Sequence, residues 1–388
     1  MKKYKKAVYI FILLTLLVNI SGCAAYIDIN DLPLILGVAM DKGVNDNYIL
    51  TVEVFKPAGP SKEKETKITT EILQAEGETI FDAVRNLTIK LGKRAYWTHL
   101  KVLIISKDIA KDGISPVLDM FTRSAHIRIE FPVGISNDQA AFNIFYKGKQ
   151  TINEPVSNLI NNTIKSVDKI SKYDYIKLYN LIDDISIEGH SAVLPLINMN
   201  PTEGSKVPSV YGVAVFKKDK MVGTLDPTES KTLRLLRNKE KGGLLIVQWI
   251  ENSETEKVTL EIFKSKTKIQ PVHNNNKLTM NIKITSITEI SEVMNYKIDV
   301  LDEKGREKLK KQAENKIKYD IENLMRKLQK DLECDAVGFG KKVKESYPKR
   351  WKESQENWSD IFETIPFNIS VDVIFRGTAS TSEEFKID

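Results

Sequence analysis

The sequence predicts an α+β fold, in which mixed or antiparallel β-sheets are packed by helices. Three observations lead to this prediction. Short β-rich runs alternate with helical periodicity in the first half, three successive runs of the second half alternate apolar and polar residues, and one apolar stripe extends over residues 303–334. The chain has 388 residues, which is enough for more than one domain.

Region 23–200 is predicted to be an α/β region of one or two subdomains. Its runs 34–40 and 48–55 are rich in β-forming residues and are separated by Asp, Gly and Asn, which predicts a β-hairpin. Segment 79–91 carries its apolar residues on one helical face, and Gly92 follows it. This pattern predicts a helix that ends at the glycine.

A domain boundary is predicted near residue 200. A second helix is predicted over 109–121, and polar helical segments over 145–191. The stretch 198–208 is rich in Pro, Gly and Asn, which is typical of a linker. Region 208–388 is therefore predicted to form a separate C-terminal α+β domain.

The second domain is predicted to open with two strands, 210–216 and 221–225, around a tight turn. A helix start follows directly. Asp226 can cap the helix, Pro227 suits the first helical position, and Glu229 can complete a capping box.

The rest of this domain is predicted to be a sheet covered by a long helix. Runs 244–250, 258–268 and 278–290 alternate apolar and polar residues, which predicts an antiparallel meander. The apolar stripe of helix 303–334 can face that sheet or a partner protein. Alternation over 365–376 predicts a closing strand with one buried face.

The N-terminal residues have the pattern of a signal peptide. A basic segment, 1–6, precedes an apolar run, 7–20, which is shorter than the roughly 20 residues that a spanning helix needs. Residues 20–23 (Ile-Ser-Gly-Cys) resemble the lipobox of bacterial lipoproteins. The resemblance implies that 1–22 is a lipoprotein signal peptide and that Cys23 carries S-diacylglycerol and an N-acyl chain. The alternative is an uncleaved signal anchor with an incidental cysteine.

Charge and cysteine content exclude several classes of protein. The formal net charge is +6, but four lysines and no acid precede Cys23, so the chain from Cys23 onward carries +2. Its basic residues alternate with acids, and no nucleic-acid partner is predicted. Cys23 and Cys334 are the only cysteines, which excludes a disulfide framework once Cys23 is lipidated. Cys334 is interpreted as a small buried residue rather than a nucleophile.

No metal, cofactor or catalytic set is predicted. The histidines lie far apart and lack metal-ligand spacing; they are His99, His126, His190 and His273. A ligand or switch role is the alternative only for His99, which precedes a strand.

The glycines after the long helix are interpreted as its C-terminal cap. Gly338, Gly340 and Lys341 lack the spacing of a phosphate-binding loop, and a helix precedes them where such a loop follows a strand. A glycine at a helix end supplies the positive φ that the cap requires.

Two tryptophans are candidates for a contact with another protein. Trp351 and Trp358 are seven residues apart, which places them on one face of a helix. Core packing is one interpretation, and a contact surface toward another subunit is the other.

Scattered apolar, glycine and tryptophan positions along nearly the whole chain point to one family. They are the lipobox, the run 34–41, the block 92–106 with His99, the hairpin 211–225, and Asp335, Gly338, Phe339, Gly340, Pro348, Trp351, Trp358 and Phe362. In this order they resemble the C subunit of spore germinant receptors, the Ger(x)C family. Residues 24–27 (Ala-Ala-Tyr-Ile) depart from the Trp-Asp-containing stretch of the family, so no role of that stretch carries over.

The resemblance implies a non-catalytic lipoprotein that works beside two receptor subunits, A and B, at the outer face of the spore inner membrane. Such a complex senses nutrients and triggers spore germination. Two other interpretations stay open: a solute-binding lipoprotein of a transporter, and a lipid-anchored cell-wall hydrolase.

Overall fold

The computed structural model of the chain describes residues 4–6, 33–56, 69–124, 127–138, 140–151, 153–202, 205–251, 254–274, 277–294 and 302–376. Cys23 and His126 lie outside the described residues, as does most of the predicted signal peptide. The described chain forms one eight-stranded and one four-stranded sheet with helices packed on them, which confirms the α+β class.

The first sheet contains eight strands in the spatial order β3-β2-β1-β4-β5-β6-β7-β8. Their bounds are β1 Ile35–Lys42, β2 Tyr48–Lys56, β3 Thr69–Gly77, β4 Val102–Ile105, β5 Val133–Ser136, β6 Val193–Thr202, β7 Ser205–Lys217 and β8 Lys220–Leu225. Strands β1, β4, β5 and β6 are mutually parallel, whereas the outer pairs are antiparallel. The sheet is therefore mixed, with its parallel strands buried in the centre.

Seven α-helices accompany this sheet in the described chain, and a short 3-10 helix, Val44–Asp46, lies between β1 and β2. The α-helices are α1 Ile80–Leu91, α2 Lys107–Asp112, α3 Ser115–Arg123, α4 Phe142–Thr151, α5 Val156–Lys165, α6 Val167–Ile170 and α7 Leu178–Ser186. Helix α1 begins and ends as predicted, because Thr79 caps it and Gly92 follows with φ +66°. The single helix predicted over 109–121 is wrong, since Gly113, with φ +136°, separates α2 from α3.

The stretch 198–208 contains the end of β6 and the start of β7, which form a hairpin within the first sheet. Strands β6 and β7 pair antiparallel across it, from Val193 opposite Val215 to Thr202 opposite Ser205. Strand β8 then pairs with β7. Both strands that were predicted to open the second domain thus belong to the first sheet, because turn-rich composition marks a hairpin loop as well as a linker.

The second sheet has the order β12-β11-β10-β9. Its strands are β9 Leu244–Glu251, β10 Glu254–Asn274, β11 Lys277–Val293 and β12 Phe367–Phe375. The predicted meander is confirmed by the antiparallel pairing of β9 with β10 and of β10 with β11. The predicted closing strand, β12, pairs parallel with β11.

Five further helices belong to the second half of the described chain: α8 Pro227–Leu236, α9 Glu303–Arg326, α10 Phe339–Ser346, α11 Pro348–Ser354 and α12 Trp358–Thr364. Helix α9 packs on the second sheet through β9 and β12, with Leu309, Ile317 and Ile321 buried. The predicted helix extended to residue 334, whereas α9 continues only through one π-helical turn, Lys327–Asp331. Among the helices of the described residues, none is both long and apolar enough to cross a bilayer.

One hydrophobic core joins the two sheets. On one face of the first sheet, Leu103 packs with Leu87 of α1 in a core of its own. On the opposite face, Phe145 of α4 and Val213 of β7 belong to a core that continues to Ile282 of the second sheet. We call the first sheet with α1–α7 and the second sheet with α8–α12 the two halves. They bury apolar surface against each other, which favours one fixed arrangement.

Candidate functional site

A buried carboxylate, Asp335, organises the loop that precedes α10, at the place where this loop meets the first half of the chain. Its Oδ1 accepts the backbone N–H of Gly338 at 2.7 Å and of Phe339 at 3.0 Å, and its Oδ2 accepts that of Gly340 at 2.8 Å. These are N–H groups at the start of α10 that lack helical partners, and a negative charge at this end is favourable. Burial raises the pKa of Asp335, and these hydrogen bonds oppose that shift.

Gly338 precedes α10 and does not end the long helix. It has φ +88° and directly precedes the first residue of α10, Phe339. The long helix ends earlier, in the π-helical turn, and Glu333 then adopts φ +47°. The predicted C-terminal cap is therefore wrong, because a glycine with positive φ also suits the entry into a helix.

A loop of the first half is joined directly to this segment. Lys341 donates its backbone N–H to the Gly189 carbonyl at 2.9 Å, and Ser191 donates its own to the Asp335 carbonyl at 3.1 Å. Gly189 has φ +68°, and a Cβ on it would lie 2.5 Å from the Trp351 ring. Only glycine fits there without displacing its neighbours.

The two tryptophans lie in different helices, so the prediction that they share one helical face is wrong. Helix α11, which contains Trp351, ends at Ser354, and α12 begins at Trp358. Tertiary packing still brings the rings to 5.2 Å between centroids, at 57°. Trp351 donates its indole N–H to Glu188 Oε2 at 3.2 Å, and Trp358 donates to Asp335 Oδ2 at 3.0 Å.

Both tryptophan side chains are buried within the chain itself. Trp351 is 2% exposed and Trp358 is 6% exposed. Their contacts are those of core packing, which was one of the two interpretations. Their role as contacts for another subunit stays a prediction, and this burial does not support it.

Arg237, which directly follows α8, bonds both to the loop of the first half and to the segment that contains Asp335. Its Nε donates to the Ala336 carbonyl and its Nη2 to the Ser191 carbonyl, both at 2.6 Å. Its side chain is only 5% exposed. Burial lowers the pKa of Arg237, while Asp174 and neighbouring carboxylates oppose that shift.

We call the set formed by residues 188–191, residues 335–340, Trp351, Trp358 and Arg237 the junction.

A buried ion network continues from the junction along α8. Arg234 Nη1 lies 3.0 Å from Asp174 Oδ1, and its Nη2 lies 3.2 Å from Asp168 Oδ1. Glu240 Oε2 is 3.6 Å from Arg234 Nε, and Lys239 Nζ is 3.1 Å from Asp174 Oδ2. Burial opposes the ionisation of Asp174, but the three cations around it outweigh burial and lower its pKa.

The titratable groups near the junction do not form a nucleophile and base pair. Cys334 donates its thiol to the Phe216 carbonyl at 3.3 Å and is 2% exposed, and burial raises its pKa to about 11. The thiol is therefore protonated at neutral pH. His190 Nε2 lies 3.5 Å from Asp184 Oδ1, and burial lowers the pKa of His190, so its ring is neutral.

A cleft of about 360 Å³ opens beside the junction, lined in part by His190, Lys239 and Lys341. Lys239 is already paired with Asp174, and the Arg237 side chain that also lines the cleft is occupied by two carbonyls. Within the described ranges, no group of three or more His, Cys, Asp or Glu side chains could hold a metal ion. His99 is exposed, and His273 Nε2 lies 2.6 Å from Arg350 Nη1.

Sequence reasoning missed the charged part of this site. Arg234 lies between Leu233 and Leu235, and all three are buried. A charged residue inside an apolar helical run is the signal that could have identified it, since charges are buried only when they are paired. Asp174 carried no such signal, because its partners come from another part of the chain.

The fold and the junction define an α+β protein of two sheets, whose buried polar site holds its two halves together. The sequence of the chain matches two family models in succession. These are the spore germination protein N-terminal domain over residues 25–199 and the spore germination B3/GerAC-like C-terminal domain over residues 211–379. The chain belongs to this family of spore germination proteins, as the resemblance predicted.

Relatives cover the chain almost from end to end. Spore germination protein B3 of Bacillus subtilis (strain 168) is 26% identical over 96% of this chain and 98% of its own length. Spore germination protein KC of the same organism is 21% identical over 98% of both chains. The crystal structure of the GerBC protein has a similar fold, with a TM-score of 0.58 and 22% identity over 88% of this chain and 97% of that chain.

Proposed function

We propose that the chain is a non-catalytic lipoprotein subunit of a spore germinant receptor. It is held at the outer face of the spore inner membrane by lipid on Cys23, beside integral-membrane A and B subunits, and is needed for nutrient-triggered germination. The correspondence with spore germination proteins over nearly the full length of both chains is the observation that carries this proposal.

The junction supports a role as a fixed body in an assembly. Asp335 satisfies four N–H donors at once, and Arg237 connects two backbone carbonyls across the two halves. Buried hydrogen bonds to charged groups contribute roughly 1.5–3 kcal/mol each, and they are lost when the groups separate. A body stabilised in this way presents constant surfaces to its partners.

The alternative, a solute-binding lipoprotein of a transporter, requires two lobes that close on a ligand. Such a motion needs a hinge and a cleft between the lobes. Here the chain passes from the first sheet to the second through helix α8, and the ion pair of Arg234 on that helix with Asp174 lies buried between the halves. We therefore favour the receptor subunit.

Co-purification from spores tests the proposal. A tagged chain, extracted from spore inner membranes in mild detergent, is expected to bring integral-membrane subunits with it, whereas an unrelated tagged lipoprotein is not. In a strain with no other germinant receptor, deletion of the gene is expected to abolish germination in nutrients but not by a non-nutrient trigger. Normal nutrient germination of the deletion strain would exclude the proposed function.

A further inference from the structure

Helix α1 exposes large apolar side chains on its outer face. Phe81 is 59% exposed and Ile89 is 80% exposed, with Arg85 between them. The three residues are spaced four apart, so they lie along one stripe of the helix. The opposite face, with Ala83 and Leu87, is buried against the first sheet.

Basic residues lie along the middle of this stripe and at its C-terminal end. The Arg85 guanidinium lies 5.3 Å from the centroid of the Phe81 ring. Lys90, Lys93 and Arg94 are exposed at the C-terminal end of the helix and just beyond it. Asp82 is the single acid within residues 80–96, which contain four basic residues. We call Phe81, Arg85, Ile89, Lys90, Lys93, Arg94 and Tyr96 the α1 surface.

The chain that leads to Cys23 enters the body next to this surface. Tyr96 donates its backbone N–H to the Pro33 carbonyl at 3.0 Å, and Ile35 donates its own to the Tyr96 carbonyl at 2.9 Å. The Tyr96 side chain is 37% exposed. Residues 24–32 separate Cys23 from Pro33, and at most about 3.5 Å per residue they span roughly 35 Å. A lipid on Cys23 therefore keeps the α1 surface within reach of the membrane.

We propose that the α1 surface docks on the surface of an anionic lipid bilayer, a role that rests on the lipid anchor of the proposed function. Phe81, Ile89 and Tyr96 enter the interfacial region, and the basic side chains meet lipid phosphates. Exposed apolar and basic residues on one helical face are typical of helices that lie in this interface. The tether and the α1 surface then fix which side of the body faces the membrane.

Vesicle flotation of the chain that begins at Cys23, without lipid, tests the proposal. Both cores consist of residues from Ile35 onward, so this chain keeps them. It is expected to float with vesicles of about 30 mol % phosphatidylglycerol and more weakly with phosphatidylcholine alone. The Phe81→Ser/Ile89→Ser variant is expected to lower the partition coefficient roughly tenfold, because each apolar side chain contributes to interfacial binding.

A matched variant controls for the loss of exposed apolar residues elsewhere. Phe263 and Ile374 are 56% and 43% exposed on the second sheet, and Phe263→Ser/Ile374→Ser is expected to leave flotation unchanged. Circular dichroism shows whether each variant is folded.

Equal flotation of the wild type and the Phe81→Ser/Ile89→Ser variant would overturn the proposal. So would a dimer in solution that this variant dissociates, since the surface would then bind a second copy. The flotation assay uses neither lipidation nor spores. Its failure is therefore distinguishable from failure of the proposed function, which germination measures.

Discussion

Gly189 and Gly340 lie backbone against backbone where the two halves of the chain meet. A Cβ on Gly340 would fall 2.5 Å from Gly189 Cα and 2.7 Å from Trp358 Nε1. The Gly189 carbonyl accepts the Lys341 N–H beside this contact. Neither the backbone nor the buried indole can move away cheaply, so the close approach of the Gly189 loop to the first turn of α10 depends on the absence of side chains.

Gly340→Ala is expected to lower the free energy of unfolding by roughly 3 kcal/mol, because an added methyl group overpacks a site closed by backbone. Urea denaturation measures the loss. Gly43→Ala is the matched control: Gly43 has ordinary φ, and the nearest atom is the flexible end of Glu76. Its effect is expected within about 0.5 kcal/mol. Equal stabilities of the two variants would contradict the described contact.

The two tryptophans are expected to differ when each is changed to phenylalanine. Trp358→Phe removes a hydrogen bond to buried Asp335 and is expected to cost about 2 kcal/mol beyond the change in ring packing. Trp351→Phe removes a bond to Glu188, which water then replaces because Glu188 is exposed. In thermal unfolding, the melting temperature of Trp358→Phe should therefore be lower than that of Trp351→Phe. The reverse order would show that Asp335 does not depend on the hydrogen bond from the indole.

Arg234→Met is expected to destabilise the protein by roughly 3–5 kcal/mol, because it leaves Asp174 and Glu240 buried with fewer partners. Lys241 provides a control, since it pairs with Asp168 but is 72% exposed. Lys241→Met is expected to change the stability by less than about 1 kcal/mol. Chemical denaturation of both variants at pH 7 measures the difference, and a small effect of Arg234→Met would mean that the network contributes little.

Asp41 is expected to make the stability depend on pH. Its carboxylate accepts the N–H of Ala141 at 2.6 Å and of Phe142 at 2.9 Å at the start of α4, and burial raises its pKa from 3.8 to about 6 against these bonds. The folded state thus binds the proton more tightly than the unfolded state. Stability is then lost as the pH rises from about 4 through 6, by roughly 3 kcal/mol at pH 7.

The Asp41→Asn variant should lack the loss of stability between about pH 4 and 6. Subtraction of its profile of unfolding free energy against pH, measured by urea denaturation, from that of the wild type isolates the contribution of Asp41. Asp46→Asn removes a carboxylate at an exposed position and controls for the change in net charge. Parallel profiles of the wild type and Asp41→Asn between pH 4 and 7 would show that folding does not raise the pKa of Asp41.

Local elements could be predicted because their signals lie within a few residues. The capping box at α8 is present as predicted: Asp226 accepts the Glu229 N–H at 2.9 Å, and Glu229 accepts the Asp226 N–H at 2.8 Å. Strand β3 was not predicted, because it is an edge strand whose residues are mostly half-exposed and polar. An edge strand lacks the apolar alternation of a buried one.

The junction could not be predicted, because its partners lie far apart along the chain. Asp335, Gly338, Gly340 and the two tryptophans were recognised as a set, but nothing in their spacing indicates that Gly189 would meet Gly340. The parallel pairing of β12 with β11 depends in the same way on packing. Arg234 could have been identified from its place between two leucines, whereas only burial distinguishes Asp174 from exposed acids.

Nutrient germination of spores that carry Cys23→Ala tests the central claim most directly, in a strain with no other germinant receptor. We expect the variant chain to fold, to attach loosely to the membrane, and to leave the spores unresponsive to nutrients, since the lipid holds the subunit at its partners. Cys334→Ala is the matched control, because its buried thiol has no part in the anchor, and those spores should respond. Normal nutrient germination of the Cys23→Ala spores would contradict the account.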